Sequence, residues 1–319
     1  MKFLLTAINA KFIHSNPAIY SLRAGVGEKL QPYVELAEFT INESLESILE
    51  GIWKRQPKVI GFSCYIWNWK LIREILTELP KILPNTEIWL GGPEVTYDGP
   101  GLLSEFPQVT GIMVGEGEVT FREVLGQYVR EAESTGQSEQ QPEPDSIEQQ
   151  AADQTGTVAG KTVAERFGQI SGLCLASGYT APRELTDLTT LPFLYEDMEP
   201  FTNRIIYYET SRGCPYRCSY CLSSIDKKVR LRDIDVVKRE LQFFLDQNVK
   251  QVKFIDRTFN CDHKHAMEIW RYIYEHDNGV TNFHFEISAD ILREEEIALL
   301  NRFRPGLAQL EIGVQSTNP

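Results

Sequence analysis

The chain contains 319 residues, of which 42% are hydrophobic, and it carries a formal net charge of −13. This length has room for about two domains, and no apolar run approaches the roughly 20 residues of a membrane span. The first residues lack the cleavage pattern of a secretory signal, and six cysteines in so long a chain do not form a disulfide framework, so we expect a cytoplasmic protein.

Residues 1–130 alternate short apolar strands with amphipathic helices, which predicts an α/β domain with a parallel sheet. The predicted strands are 3–8, 34–38, 59–63, 87–90 and 111–114, and the predicted helices lie near 18–30, 44–53, 70–79 and 120–130. Five strands with short connections fit a doubly wound, flavodoxin-like sheet, whose ligands bind beyond the carboxyl ends of the strands.

The loops that follow strands one, three, four and five are therefore candidate binding loops. In chain order they contain His14, Ser63, Tyr65, Gly91, Gly92, Gly115 and Glu116. Glycine lets the backbone approach a bulky ligand because no side chain intervenes. Trp67 and Trp69 follow strand three, where an aromatic ring can stack on a ligand but is more often part of the core.

This layout resembles the cobalamin-binding domain, whose pattern is D-x-H-x-x-G, then S-x-L, then a Gly-Gly pair. The resemblance implies a cobalamin cofactor whose nucleotide tail lies in a slot lined by the Ser63 and Gly91–Gly92 segments. Phe12 and Pro17 depart from the first part of the pattern, so His14 is either a lower axial ligand of cobalt or an ordinary loop histidine. Glycine-rich loops also suit a flavin or a dinucleotide, but no G-x-G-x-x-G follows strand one.

Residues 131–168 form a low-complexity bridge with few apolar side chains and many acidic ones, which predicts a disordered insertion without chemistry. Residues 169–200 are expected to hold a short strand and an interdomain linker, with Cys174 as an inert core thiol. Four basic residues, Lys227, Lys228, Arg230 and Arg232, usually form a solvated loop, so we expect no nucleic-acid binding.

Three cysteines, Cys214, Cys218 and Cys221, fall in a C-x3-C-x2-C spacing directly after an apolar run. Three thiolates on one loop can hold three corners of an iron–sulfur cube and leave one iron open, whereas a closed zinc site wants four ligands. The alternatives are a zinc knuckle and three unrelated core cysteines.

The cysteine loop resembles the signature of the radical S-adenosylmethionine (SAM) enzymes, C-x3-C-x-aromatic-C, with Tyr220 at the aromatic position. The resemblance implies a 4Fe–4S cluster whose open iron chelates the amino and carboxylate groups of SAM, which one electron cleaves to a 5′-deoxyadenosyl radical. It also implies SAM contacts for Glu286 and Gln315 at two strand ends. Asp256 stands where the family has a Gly-Gly-Glu motif, and we assign it to the same site.

Residues 201–319 alternate longer strand–helix units, which predicts a TIM-like barrel with its active site at the carboxyl ends of the strands. The predicted strands are 205–209, 251–256, 283–287 and 309–314, and the predicted helices are 234–247, 264–275 and 294–303. These four units are fewer than the radical SAM family uses, so we expect an incomplete barrel. Cys261, Asp262, His263 and His265 are expected at a helix start, where they cannot converge on one ion.

Together the two resemblances predict a cobalamin-dependent radical SAM enzyme, with methyl transfer to an unactivated carbon of a small molecule as the expected reaction. They imply an electron donor such as flavodoxin or ferredoxin. The alternatives are a radical SAM enzyme for cyclisation or rearrangement, and a non-catalytic cobalamin-binding fragment.

Overall fold

The computed structural model describes residues 1–134, 161–226 and 228–314. The chain forms two compact units, the first from Met1–Phe12 and Asn16–Thr186 and the second from Ile13–Ser15 and Asp187–Pro319, as far as these ranges are described. The boundary at Thr186 lies within the predicted linker 169–200, so its first part belongs to the first unit.

The first unit is built around one seven-stranded sheet. Its elements are β1 (Phe3–Asn9), α1 (Pro17–Gly25), β2 (Val34–Thr40), α2 (Leu45–Trp53), β3 (Val59–Ser63), α3 (Trp69–Ile82), β4 (Glu87–Gly91), α4 (Gly99–Glu105), β5 (Val109–Met113), α5 (Gly117–Ser134), α6 (Val163–Phe167), β6 (Leu173–Leu175) and β7 (Gly178–Tyr179). The strand order is β2-β1-β3-β4-β5-β6-β7. Strands β1 to β5 are parallel, and β6 and β7 run antiparallel at the edge.

This topology confirms the predicted doubly wound, flavodoxin-like sheet. All seven residues of β1 are buried, because helices cover both faces of the sheet and each face has its own apolar core. Helix α4 was not predicted, since it begins with Gly99, Pro100 and Gly101, which ordinarily mark a turn.

The prediction of a disordered bridge over residues 131–168 is wrong at both ends of that range. Residues 131–134 complete α5, and α6 follows at Val163–Phe167 with a Thr162–Glu165 capping box. Phe167 is fully buried in the core between the sheet and α5. The acidic composition of the surrounding sequence concealed this short helix; residues 135–160 lie outside the described part of the chain.

The second unit contains a four-stranded parallel sheet in the order β13-β12-β11-β8, which confirms the predicted partial barrel. Its elements are β8 (Ile206–Tyr208), β9 (Ser211–Arg212), β10 (Arg230–Leu231), α7 (Ile234–Asp246), β11 (Gln251–Phe254), α8 (His263–Glu275), β12 (Asn282–Ile287), α9 (Glu294–Leu300) and β13 (Ala308–Ile312). Residues 13–15 join this unit through a parallel bridge between His14 and Ile205.

The antiparallel pair β9–β10 was not predicted. Its second strand contains Arg230, one of the four basic residues that the sequence analysis placed in a solvated loop. Arg232 is buried, and its guanidinium pairs with Glu240 at 2.6 Å. Arg230 pairs with Asp226 at 2.9 Å, and Lys227 lies outside the described residues. The two arginines therefore form ion pairs within the fold, and they do not belong to a solvated basic loop. None of the described helices combines the length and apolar character that crossing a bilayer requires.

Candidate functional site

The first unit has a cavity of about 340 Å³ at the carboxyl ends of its parallel strands. Five predicted binding residues line it, namely Ser63, Tyr65, Gly91, Gly92 and Gly115. The other walls are mostly apolar and come from the strands and from α1 and α5, including Leu5, Ile19, Leu22, Trp89, Leu90 and Met113. A mainly apolar concave site of this size is typical of a small-molecule or cofactor site.

Two of these glycines have backbone conformations that other residues adopt only with strain. Gly92 has a φ of +108°, and a Cβ atom on it would lie 2.5 Å from the carbonyl oxygen of Cys64. Gly115 has a φ of +78°, and a Cβ atom on it would meet open space. Gly92 therefore fits the loop against its neighbour, and Gly115 turns the chain beside the cavity.

Gly61 also lines the cavity, and the sequence analysis missed it. It lies in the middle of β3, between Leu5 of β1 and Trp89 of β4 in the strand register. A Cβ atom on it would lie 3.1 Å from the Phe3 ring and 3.3 Å from the Leu5 side chain, so this part of the cavity wall has little room for a side chain. The available signal was an isolated glycine inside a predicted strand, which often marks the close approach of a ligand.

An aromatic pair lies beside the cavity, at the loop after β3. The rings of Tyr65 and Trp67 stack with centroids 4.4 Å apart, and Trp67 is 47% exposed. The loop is fastened by buried Asn68, whose amide nitrogen donates to the carbonyl oxygens of Ile8 and Ser63. Trp69 packs against the apolar core and Phe106, so the core interpretation holds for Trp69 and fails for Trp67.

A buried polar network supports the cavity wall at Trp89. Its indole N–H donates to the Tyr128 hydroxyl, which donates to Glu87. Arg166 of α6 pairs with both Glu87 and Glu131 at 2.9 Å, and its guanidinium side chain is 1% exposed. Burial opposes the charge on Arg166, but the hydrogen bonds that its guanidinium donates to Glu131 and Glu87 raise the pKa of that guanidinium. The segment after the acidic stretch thereby braces the cavity wall.

Two predicted cobalamin-binding residues, Glu116 and His14, are not among the residues that line this cavity. The Glu116 carboxylate accepts a hydrogen bond of 2.7 Å from the Thr186 backbone N–H. His14 belongs to the second unit, where its Nδ1 contacts the Tyr207 hydroxyl in a close hydrogen bond. A cobalt-ligating role for His14 and a cofactor contact for Glu116 stay predictions.

In the second unit, the cysteine loop leaves the sheet at the carboxyl end of β8. Asp256 is fully buried beneath the start of this loop. Its carboxylate accepts hydrogen bonds from the backbone and hydroxyl of Thr210 at 3.0 and 2.6 Å and from the Ser211 hydroxyl at 2.7 Å. Desolvation raises the pKa of Asp256, and these donors oppose that rise. Asp256 therefore positions the loop, and its contact with SAM stays a prediction.

The three thiols of the loop have different environments. Cys214 is buried, and its Sγ lies 3.5 Å from the Thr258 hydroxyl. Its backbone N–H donates to the backbone carbonyl of Asp226. Cys218 and Cys221 are exposed and are joined by a turn in which the Cys221 N–H donates to the Cys218 carbonyl. Tyr220 between them is 79% exposed. Among the described side chains, no three Cys, His, Asp or Glu are grouped to hold a metal ion.

The neighbouring cluster of Cys261, Asp262, His263 and His265 forms a helix start, as the sequence indicated. The Asp262 carboxylate caps α8 by accepting from the His265 backbone, and His263 Nδ1 lies 2.9 Å from Glu296. The imidazole of His265 is buried, and burial lowers its pKa. Burial also raises the pKa of the Cys261 thiol to about 11, so this thiol is not activated.

One face of the second unit's sheet carries polar residues that alternate with buried aromatic ones. Tyr207, Lys253 and His284 are neighbours in register across β8, β11 and β12, and Glu286 pairs directly with Glu311 of β13. Lys253 lies 3.5 Å from Glu286, the predicted SAM contact, and 3.0 Å from Glu311. The sequence analysis missed Lys253 because it lies within a strand rather than at its end. Gln315, the other predicted SAM contact, lies outside the described residues.

Comparison with family models and curated proteins assigns both units. The B12 binding domain matches residues 4–125, and the radical SAM superfamily matches residues 208–319. Cobalamin-dependent radical SAM methyltransferase TokK of Streptomyces tokunonensis is 27% identical over 64% of this chain and 28% of its own length. The anaerobic magnesium-protoporphyrin IX monomethyl ester cyclase of Rubrivivax gelatinosus is 22% identical over 86% of this chain and 46% of its own length.

The chain thus spans less than half the length of these two relatives. Among solved structures, the radical SAM methyltransferase TsrM from Kitasatospora setae, with tryptophan substrate and a SAM analogue bound, superposes with a TM-score of 0.67 and 18% identity. That match covers 100% of this chain and 60% of TsrM, and it supports the fold. The chain joins a B12 binding domain to a radical SAM domain, and it belongs to the radical SAM proteins that carry a cobalamin-binding domain.

Proposed function

We propose that the protein is a cobalamin-dependent radical SAM enzyme that cleaves SAM reductively at a 4Fe–4S cluster and transfers a methyl group to an unactivated carbon. The observation that carries the proposal is the loop with Cys214, Cys218 and Cys221 at the carboxyl end of β8, in a chain that also has a B12 binding domain. When bound, the cluster supplies the electron for SAM cleavage and cobalamin supplies the methyl carrier.

The donor set of the loop fits a cluster with three protein ligands. All three thiols are free, and two of them are exposed on one short turn. Gly213, with a φ of +93°, precedes Cys214, and a Cβ atom on it would lie 2.4 Å from the Lys228 carbonyl oxygen. The chain therefore fixes Cys214 through its backbone and leaves Cys218 and Cys221 able to reach a bound iron.

The cavity of the first unit fits the nucleotide tail of cobalamin. Its apolar walls and the absence of a side chain at Gly61 suit a flat ring system, and the Ser63 hydroxyl offers a polar contact. The exposed Trp67 indole, stacked on Tyr65 beside the cavity, offers a surface for the corrin ring. These residues bind and orient the cofactor without contributing chemistry of their own.

The substrate is proposed to be a small molecule, and the electron donor a flavodoxin or ferredoxin in the cytoplasm. The TsrM structure contains tryptophan as its substrate, but at 18% identity this likeness does not carry the substrate over.

Two other functions each have one observation in their favour. The likeness to the Rubrivivax gelatinosus cyclase covers 86% of this chain and favours a cyclisation or rearrangement. The B12 binding domain over residues 4–125, taken alone, favours a cobalamin-binding protein without catalysis.

The test is anaerobic reconstitution of the full chain with iron, sulfide and cobalamin. We expect about four irons per chain, cleavage of SAM to methionine and 5′-deoxyadenosine on reduction, and a labelled methyl group in a product when deuterium-methyl SAM is added to a cell extract. SAM cleavage without methyl label would favour cyclisation or rearrangement. Cobalamin binding without iron binding would favour the non-catalytic fragment.

A further inference from the structure

Ser63 ends β3 and lines the cavity of the first unit, and the side chain of Asn16 contacts its hydroxyl. The Asn16 Nδ2 atom donates to the Ser63 Oγ atom at a distance of 3.1 Å. Asn16 itself is buried and is not among the residues that line the cavity. Any effect of its amide on a ligand in the cavity is therefore exerted through Ser63.

The amide of Asn16 has one orientation because it also caps a helix. Asn16 is the N-cap of α1, where its Oδ1 atom accepts from the Ile19 backbone N–H at 3.4 Å. If the amide were turned over, its NH2 group would face that N–H and the capping bond would be lost. The helix therefore directs the donor atom, Nδ2, at Ser63.

The backbone of Asn16 is held by Glu38 of β2. One carboxylate oxygen of Glu38 accepts from the Asn16 backbone N–H at 3.1 Å and from Asn9 Nδ2 of β1 at 2.8 Å. The other oxygen accepts from the Tyr20 hydroxyl of α1 at 2.7 Å. Two strands and one helix of the first unit thus set the position of Asn16.

This arrangement determines what the Ser63 hydroxyl can offer to a ligand. A hydroxyl has one proton to donate and two lone pairs with which to accept. In the described part of the chain, the one hydrogen bond of the Ser63 hydroxyl is the bond that it accepts from Asn16. Its proton is therefore available to the cavity, whose walls are mostly apolar, and a buried donor without an acceptor costs free energy. The site favours a ligand with a hydrogen-bond acceptor at this point.

We propose that Asn16 is a positioning residue that keeps the Ser63 proton available for donation, and that this proton selects a cobamide whose lower base has an unprotonated ring nitrogen. The inference rests on the proposed function, in which the nucleotide tail of cobalamin occupies this cavity. The benzimidazole of cobalamin has such a nitrogen when it does not bind cobalt, whereas a phenol as lower base has none. Asn16 acts through Ser63, and it is not assigned a contact with the cofactor.

The test compares cobalamin with a cobamide that has phenol as its lower base. Equilibrium dialysis at pH 8.0 gives Kd of each cobamide for the full chain, reconstituted with iron and sulfide, as wild type and as Asn16→Asp. At this pH the new carboxylate is charged and can only accept, so it still caps α1 but takes the Ser63 proton. We expect Kd for cobalamin to rise at least about tenfold and Kd for the phenol cobamide to change less than about threefold.

The ratio of the two Kd values is the deciding quantity, because any damage that affects both cobamides equally cancels from it. Ser63→Ala removes the proton itself and should change this ratio about fivefold. In the Ser63→Ala background, Asn16→Asp should not change the ratio further, because the two residues act as one unit. Ser44→Asp is the matched control, since it places the same carboxylate at the N-cap of α2 and should leave both Kd values unchanged.

An unchanged ratio in Asn16→Asp would overturn the proposal and show that Asn16 only supports the loop. If repulsion from Glu38 prevents this variant from folding, the comparison is made between Glu38→Gln and Glu38→Gln with Asn16→Asp, where an unchanged ratio would likewise overturn it. Failure of the wild type to bind either cobamide would overturn the proposed function and this inference with it. Cobalamin binding by the wild type with an unchanged ratio in the variants would contradict the role of Asn16 alone.

Discussion

The cavity of the first unit is lined by strand backbone and buried side chains, whereas the cysteine loop of the second unit presents two of its three thiols to solvent. Gly92 and Asn68 hold the cavity loops through backbone contacts and buried hydrogen bonds. In the cysteine loop, Asp256 and Gly213 hold the first part and Cys214, but Cys218 and Cys221 lie beyond these supports. We infer that the cobalamin site is formed by the fold, and that the cluster site is completed by its ligand.

This comparison predicts that the two sites respond differently to mutation. Substitutions in the cavity should change the free energy of unfolding and cofactor affinity together. Substitutions of exposed thiols should change cluster content alone.

The largest effect is expected for Cys218→Ala. Because Cys218 is exposed, the free energy of unfolding of the cluster-free chain should change by less than about 0.5 kcal/mol. Cluster assembly and SAM cleavage should be lost, as measured by iron content and 5′-deoxyadenosine formation. Cys261→Ala is the control and should keep both; a Cys218→Ala protein with full iron content would contradict the cluster assignment.

Arg166→Met should have the largest effect on the stability of the first unit. It leaves Glu87 and Glu131 without their buried partner, which we expect to lower the free energy of unfolding by about 3 kcal/mol. Arg73→Met removes an exposed pair with Glu105 and should cost less than about 1 kcal/mol. Equal effects of the two substitutions in urea unfolding would show that α6 does not brace the cavity wall.

The adjacent residues Gly91 and Gly92 test whether the backbone contacts of the cavity loop contribute to stability. Gly92→Ala should lower the free energy of unfolding by about 2 kcal/mol, because of its positive φ and the contact with Cys64. Gly91→Ala should be milder, since its Cβ would meet only Met113, at 3.8 Å. Cobalamin affinity, followed by absorption titration, should fall in both variants, because both residues line the cavity.

The smallest effect on stability is expected for Trp67→Ala. The exposed indole contributes little to the core, so unfolding should change by less than about 0.5 kcal/mol, while cobalamin affinity should fall about tenfold. Trp69→Ala should instead destabilise the core by about 2 kcal/mol. Unchanged cobalamin affinity in Trp67→Ala would exclude stacking on the corrin.

Much of this organisation was predictable because it follows from local patterns. Strand periodicity gave the order of elements, and parallel strands bring their carboxyl ends to one edge, so Ser63, Tyr65 and Gly91 could be placed at one site before the structure was known. The cysteine spacing likewise needs no tertiary information.

The remaining features depend on contacts between residues distant in sequence. Lys253 becomes part of a site only when strand register sets it beside Glu286 and Glu311. Arg166 lies within the predicted low-complexity bridge 131–168, and only its contacts with Glu87 and Glu131 reveal that it is buried. Trp67 is exposed and Trp69 packs against the core because of how the chain turns after β3, and aromatic composition does not specify that turn.

The bridge between His14 and Ile205 has a consequence for dividing the protein into separately expressed halves. A cut after Thr186 would leave residues 13–15 on the N-terminal piece, although they belong to the C-terminal unit. The C-terminal piece would then present the backbone of Ile205 as an open edge, where another strand can add. Such a piece should self-associate, and a synthetic peptide that covers residues 13–15 should suppress that association.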